Sequence, residues 1–451
     1  MDELELAISV WHSGLTPEVA EASAEWLDRE LRERGLFFGD RPLCNVLRPR
    51  FLTTGQYRSL KESIATLLRA FDRVLEAALA NPAVLQQFRL LDWERTLVME
   101  DPGIPASPVS RLDAFFESGT GRLRFTEYNA ETPAGSAYHD ALSELFLSIP
   151  ASRPFQKSFA LCPLPARHNV LHALLESYAT WSGRSTPPVI GILDWSEVPT
   201  RSEFLLYQRF FKEMGIACVV ADVRECTLEN GKLLAAGTAI DLIYKRVLIS
   251  ELVDREGLDH PIVRAVRSGA VCMVNPFRCK ILHKKASLAV LSDERNAGLF
   301  DPAERQAIAH QIPWTRVVEE RTTQFGSETI DLLPWMERNQ DRLVLKPNDE
   351  YGGSGIVLGW EVDGSTWSSA IRHATSEPYI VQERIALPEE SYPAWVDGRL
   401  SYAPRIVDTA PFVFGGAYAE GCLTRVSTAT LVNVTAGGGS TVPTFVIERR
   451  P

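Results

Sequence analysis

The chain lacks the groups that mark a disulfide scaffold or a thiolate metal site. Its seven cysteines, Cys44, Cys162, Cys218, Cys226, Cys272, Cys279 and Cys422, include no Cys-x-x-Cys pair. An odd number without framework spacing is the pattern of reduced thiols, and it argues against zinc. His139, His168, His172, His260 and His283 form no ligand-spaced set and receive no role. Positive charge is also short: 47 Lys plus Arg stand against 58 Asp plus Glu, a net charge of −11. That excludes nucleic acid as the main partner, because a phosphate backbone asks for a basic surface. No apolar run approaches the length that spans a bilayer, so no membrane partner is expected. The opening Met-Asp-Glu-Leu-Glu-Leu has neither the basic start nor the apolar core of a signal peptide, and the expected location is the cytoplasm. Neither a Walker loop nor a Gly-x-Ser-x-Gly elbow occurs.

What is present is material for a large core. The 451 residues are 45% apolar and 23% charged, ordinary values for a globular chain of two to four domains. Pro17–Arg34 and Gln56–Ala80 carry apolar residues at helical spacing, with Leu60, Ile64, Leu67, Leu68, Phe71, Val74 and Leu75 on one stripe of the second; residues 1–85 read as helical scaffold. Two strand-like runs then flank Ser118-Gly-Thr-Gly121, a hairpin turn, and Tyr138–Leu147 and 165–182 read as helices. Strand 187–194, helix 202–214 and strand 218–222 form an αβ unit that favours a parallel pair. A small hairpin around Glu229-Asn-Gly231 and a strand over 240–246 follow. Pro261–Ser268, Lys285–Asp293 and Pro302–Gln311 are predicted helices. The last third is β-rich, with strands expected at 343–346, 355–360, 379–385, 404–408, 422–427, 430–435 and 442–448 around the break Gly437-Gly438-Gly439.

Two stretches carry chemistry. In the first, Arg111-Leu-Asp113 precedes Phe125-Thr-Glu127-Tyr-Asn129-Ala-Glu-Thr-Pro-Ala-Gly135-Ser. Side chains alternate along a strand, so Glu127 and Asn129 share one face, and Asp113 on the partner strand can point to the same spot. Two carboxylates and an amide oxygen form a hard-oxygen cage of the kind that suits Mg²⁺ with waters and nucleotide phosphates. In the second, Val344-Leu-Lys346-Pro-Asn-Asp-Glu-Tyr351-Gly352-Gly353-Ser354-Gly355 is a strand ending in a lysine before a glycine-rich turn. Glycines let backbone N–H groups approach phosphate, and the lysine adds charge.

With these residues quoted, the chain resembles the ATP-grasp ligases in circularly permuted form. The likeness is greatest to the synthetase domain of glutathionylspermidine synthase and to bacterial relatives of that enzyme. Asp113, Glu127-x-Asn129, Lys285, Lys346 with its loop, and Gln382-Glu383 carry the resemblance, which covers roughly residues 90–451. The metal set precedes the lysines and glycine loop, which is the permuted order. The resemblance implies an α+β fold: a permuted ATP-grasp unit, a pre-ATP-grasp α/β domain and a helical N-terminal region. It implies, after the helical stretch 1–85 read above from periodicity, the divisions 86–150 (metal-binding segment), 151–280 (α/β substrate domain) and 281–451 (nucleotide-binding lobes).

It also implies roles. Asp113, Glu127 and Asn129 hold Mg²⁺. Lys285, Lys346, Tyr351, Gly352, Gly353, Ser354 and Gly355 contact ATP phosphates, with Lys284 one residue away from Lys285 as the alternative in register. Gln382 and Glu383 form the hinge that reads adenine and ribose. An arginine steadies the transition state: Arg425 first, with Asn433 nearby, then Arg111 and Arg405. Thr132, Ser136, Tyr244 and Arg246 are candidates to touch the acceptor, with buried-strand and turn roles as the equal alternative. The implied activity is ATP-dependent ligation of a small-molecule carboxylate to an amine (peptide, amino acid or polyamine) through an acyl phosphate, with ATP and Mg²⁺ as cofactors. The rivals are a catalytically silent nucleotide-binding module and a small-molecule kinase on the same fold.

Overall fold

A computed structural model describes residues 2–350, 352–429 and 439–451. Tyr351, Asn433, Gly437, Gly438 and the strand expected at 430–435 lie outside those residues.

The helix expected from Gln56 starts two residues earlier, as Thr54–Ala80, because Thr53 and Gln56 cap each other's backbone N–H groups reciprocally, satisfying two donors that a helix start leaves unpaired. Its stripe of Leu60, Ile64, Leu67 and Phe71 packs into one core with Leu112, Phe116, Phe125 and Tyr128. Those four belong to the hairpin of Val109–Glu117 and Arg122–Asn129, here called the carboxylate hairpin. Since a strand has two faces, burying that set against the helix turns Asp113 and Glu127 to the other side. The N-terminal scaffold thereby decides which way the carboxylates point.

The hairpin forms one edge of a seven-stranded sheet in the order Glu389–Val396, Arg399–Val407, Tyr418–Ser427, Ala410–Phe414, Val109–Glu117, Arg122–Asn129, with Ser440–Val442 added beside Tyr418–Ser427. Glu389–Val396 and Ala410–Phe414 were not expected as strands. The first holds Pro393 and two glutamates, a composition that reads against a strand but is tolerated at a sheet edge. A second sheet, of four antiparallel strands, runs Thr315–Val317, Tyr379–Glu383, Leu343–Pro347, Val357–Leu358. The stretch 355–360 gives only a two-residue strand followed by a 3₁₀ turn at Gly359–Glu361. A Cβ on Gly359 would lie 2.0 Å from the Gln340 carbonyl oxygen, so that turn runs directly against backbone.

The αβ unit is a parallel sheet in the order Cys272–Val274, Leu242–Lys245, Ile190–Asp194, Cys218–Asp222. Its carboxyl edge, where open α/β sheets usually take ligands, packs on the segment after the carboxylate hairpin. Asn275 donates to the carbonyls of Val109, Ala130 and Glu131 at 2.6, 2.9 and 3.0 Å, and Arg246 donates to the Pro133 carbonyl at 2.5 Å. The chain's two ends meet as well: Arg50–Thr53 lies parallel to Thr444–Arg449, whose other edge pairs with Phe159–Pro163. Trp11, Leu27 and Leu31 share a core with Tyr138, Phe412 and Phe445. The two antiparallel sheets face each other across a cavity of about 590 Å³.

Candidate active site

In the carboxylate hairpin Asp113 stands opposite Glu127, and Arg111 opposite Asn129. The register shifts between Asp113 and Ala114, leaving Thr126 as the extra residue of a bulge. A bulge re-aims backbone groups; here the Thr126 carbonyl accepts from Lys346 Nζ at 3.3 Å. Asp113, Thr126, Glu127, Lys346, Gly352, Gly353, Gln382, Glu383, Asp408 and Arg425 all line the one cavity. Asn129 shares the face by alternation but sits one pair further along, beside Arg111 and outside that wall.

The two lysines approach Glu127 from different elements. Lys285 Nζ lies 3.1 Å from Glu127 Oε1 and donates to the Glu350 carbonyl at 2.5 Å. Lys284 turns inward instead, to Glu94 and Asp349 at 2.8 and 2.9 Å, so Lys285 is the one that meets the carboxylate. Lys346 ends the strand Leu343–Pro347 and donates to Gln382 Oε1 at 2.7 Å. Burial pushes its ammonium down to about 8, with Glu127 opposing and Lys285 adding to the shift. Burial raises the Glu127 carboxyl, and Lys285 and Lys346 more than offset it, so that Glu127 ends below its usual range.

Arg111 grips both oxygens of Asp113 at 2.6 and 3.0 Å and donates to the Ala134 carbonyl at 2.6 Å. Arg425 reaches Asp113 Oδ2 at 2.9 Å. Despite full burial, the two guanidiniums hold the Asp113 carboxyl below the usual range. Arg405 differs. Ile406 and Asp408 line the cavity, so alternation puts Arg405 on the opposite face of its strand, beside Cys44 and Tyr392. It is removed from the set of arginines at the site.

Asp408, three residues on, faces the cavity instead. It accepts from the Arg425 backbone N–H at 2.6 Å and from the guanidinium. Burial lifts its carboxyl to about 6, with Arg425 opposing and Asp113 adding. The signal was present in Arg405-Ile-Val-Asp408: if Ile406 faces in, so does Asp408.

Gly352, Gly353 and Gly355 take φ of +64°, +80° and +67°, backbone that only glycine adopts without strain. Ser354 is exposed and outside the cavity wall. A Cβ on Gly355 would lie 2.6 Å from Pro347 Cγ and 3.2 Å from the Tyr379 hydroxyl. Gly355→Ala is therefore expected to cost about 1–2 kcal/mol of stability and to displace the loop; thermal unfolding and nucleotide titration of the variant check this.

Phe115, Val344, Ile356, Leu358, Trp360, Ile385, Ala386 and Leu387 supply the apolar part of the lining. Gln382 is buried, its amide donating to Thr315 Oγ1 at 3.0 Å and its oxygen taken by Lys346. The cavity thus joins apolar side chains to a group of carboxylates and cations, within the size range of small-molecule sites.

No known family profile matches the chain. It is 24% identical over 461 aligned positions to "Putative glutamate--cysteine ligase 2-3" of Frankia alni and 23% identical to "Putative glutamate--cysteine ligase 2-2" of Frankia casuarinae. In both, 94% of this chain is covered but only 50% of the relative, so the chain spans about half the length of these two relatives. An uncharacterized protein of Mycobacterium leprae is 24% identical, with 93% of this chain and 76% of that protein covered. Among solved structures, a glutathione synthetase-like effector from Globodera pallida, in its apoform, superposes with a TM-score of 0.60 at 12% identity, covering 96% of this chain and 98% of the effector. The chain has the fold of that glutathione synthetase-like protein along nearly its whole length.

Proposed function

We propose that the protein is an ATP-dependent carboxylate–amine ligase of the permuted ATP-grasp type. The observation that carries the reading is the convergence of Asp113 and Glu127, paired across one hairpin, with Lys346 and the glycine loop in a single cavity. The ligase names of the Frankia relatives and the glutathione synthetase-like fold support it. Since those relatives are about twice as long, their named activity is not carried over to this chain. The carboxylate and the amine are small molecules of the peptide, amino acid or polyamine class.

The donor set fits magnesium: the oxygens of Asp113 and Glu127 line the cavity, and Asn129 stands one pair away on the same face, a hard-oxygen group suited to a cation that keeps some waters. Bound there, Mg²⁺ would supply charge neutralisation of the phosphates. The chain's own residues do the rest by position. The slot of Val344, Ile356, Leu358 and Trp360 takes the base, and the Gln382–Glu383 backbone and side chains border it. Lys285, Lys346 and the N–H groups of the glycine loop neutralise and cover the phosphates. The γ-phosphoryl group passes to a carboxylate oxygen of the substrate and ADP departs. The amine lone pair then attacks the acyl carbon, phosphate leaves with the C–O electrons, and the amine's proton passes to solvent. Arg425, which lines the cavity, stands beside the reacting oxygens, where guanidinium charge is most useful, and Arg111 holds Asp113 from behind.

The test is a screen of amino acids, small peptides and polyamines with ATP and Mg²⁺, scoring ADP and phosphate release and identifying products by mass. An amide product with stoichiometric ADP is expected. ATP binding without turnover on any panel would replace the reading by a silent nucleotide-binding module, and a stable phosphorylated product formed without amine would replace it by a kinase.

Nucleotide affinity should also depend on pH. Phosphate binds the protonated form of Lys346, whose ammonium titrates near 8. Affinity is expected to hold between pH 6 and 7 and to fall by up to tenfold per unit above about 8. Titration calorimetry across that range checks the slope, and Lys346→Met should flatten it.

A further inference from the structure

Lys280 lies on the short helix Cys279–His283, is 1% exposed, and is absent from the cavity wall. Its ammonium is 3.0 Å from Glu131 Oε2 and 2.7 and 2.8 Å from the two oxygens of Asp349. Glu131 follows the carboxylate hairpin by two residues, and Asp349 precedes Gly352 by three. One buried cation thus ties together the segments that carry opposite walls of the cavity.

The pairing extends on both sides. Lys245 and the Ile249 backbone N–H each reach Glu131 Oε1 at 2.8 Å. Lys284 joins Asp349 to Glu94. Glu131, His283 and Asp349 present atoms within 4.8 Å of one another, a spacing that suggests a metal. Lys280 already occupies it, however, and three ammonium groups balance the carboxylates of Glu94, Glu131 and Asp349. Burial lowers His283 to about 4, leaving its ring neutral. A buried ionic network is a poor source of stability, because desolvation consumes most of the attraction. Fixing one geometry among several is its better-attested use.

We propose that Lys280 is a positioning residue that fixes the glycine loop against the carboxylate hairpin, so that the phosphates of a nucleotide meet both walls together. The role rests on the nucleotide reading given above. Asp349 holds the root of the loop, and Glu131 holds the chain leaving the metal-binding strand. Neutralising either one releases its wall from the shared ammonium.

The test is calorimetric titration of the full chain with a non-hydrolysable ATP analogue and Mg²⁺, alongside thermal unfolding. Wild type is expected to bind. Asp349→Asn should bind at least tenfold more weakly while folded, and Glu131→Gln, on the opposite wall, should weaken the same titration to a similar degree. The double variant should be little worse than either, because the two losses share one partner. Lys280→Met would leave Glu131 to Lys245 and Asp349 to Lys284 alone and can fail to fold; Asp349→Asn, at a half-buried carboxylate whose shape it keeps, is the milder change. If both amide variants fold and bind as wild type does, with only their melting temperatures lowered, the network is structural and the proposal is overturned. Absence of binding by wild type would overturn the nucleotide reading itself.

Discussion

Glu127→Gln should lower ATP turnover about 1000-fold, equivalent to ~4 kcal/mol of transition-state stabilisation. The substitution keeps the volume and the strand and removes one charge. In the wild type, Glu127 stands opposite Asp113, 3.1 Å from Lys285 Nζ, within the field of Lys346. The amide offers a metal only a neutral oxygen and leaves both lysines without their carboxylate. Loss should therefore appear in kcat more than in the affinity for nucleotide, whose base slot is untouched. Asn129→Ala is the internal comparison. Asn129 shares the face but lies outside the cavity wall, so a loss on the order of tenfold is expected there. ADP release measured for both variants, with Mg²⁺ titrated, checks the pair. Full activity of Glu127→Gln would remove this carboxylate from the metal's coordination and with it the core of the ligase reading.

The carboxylate hairpin was legible because its signals are local. Gly121 marks the turn, alternation assigns the faces, and the helix Thr54–Ala80 announces itself by its apolar period. What could not be read depended on distant partners. Lys284 and Lys285 are equivalent at the start of a helix; only Glu94, Asp349 and Glu127, brought in from other elements, send one to Glu94 and Asp349 and the other to Glu127. Arg405 and Asp408 were separable in principle by alternation, but the decision needed to know that Ile406 faces the cavity. The strand pairing Ile406 with Ser427 and Val407 with Val426 then carries Asp408 to Arg425. Thr126 could not have been picked out, since a bulge is a property of the pairing rather than of either strand. Glu131 carries no local signal of its role, because its partners Lys245 and Lys280 lie more than a hundred residues away. Long-range electrostatics, in short, stayed hidden where short-range periodicity did not.

The same distant pairing makes Arg425 the position where chemistry and stability should fail together. Its guanidinium joins Asp113 to Asp408, and both carboxylates are buried at the cavity wall. Arg425→Ala strands two acids that face each other with only Arg111 left to compensate, and breaking a buried pair in this way costs roughly 3–5 kcal/mol. The pH dependence has a definite sign. In the wild type Asp408 already titrates near 6 against a usual 3.8. Its burial therefore favours the folded state below the ordinary value, and that advantage is lost as pH rises from about 4 to 6. Removing Arg425 raises both carboxyls further, so the variant's deficit should be largest at pH 7–8 and shrink at pH 5, where the acids can protonate. Melting temperatures of wild type and variant at the two pH values measure this directly. Arg425→Lys should restore part of the stability, because a single ammonium can sit between the acids. It should leave turnover ~100-fold or more below wild type, because lysine has no planar fork with which to hold an aspartate and a reacting oxygen at once. Equal melting deficits at pH 5 and pH 8 would mean that Asp113 and Asp408 do not depend on Arg425 for their charge. Full turnover in Arg425→Lys would shift the transition-state role to Arg111, which keeps its grip on both oxygens of Asp113.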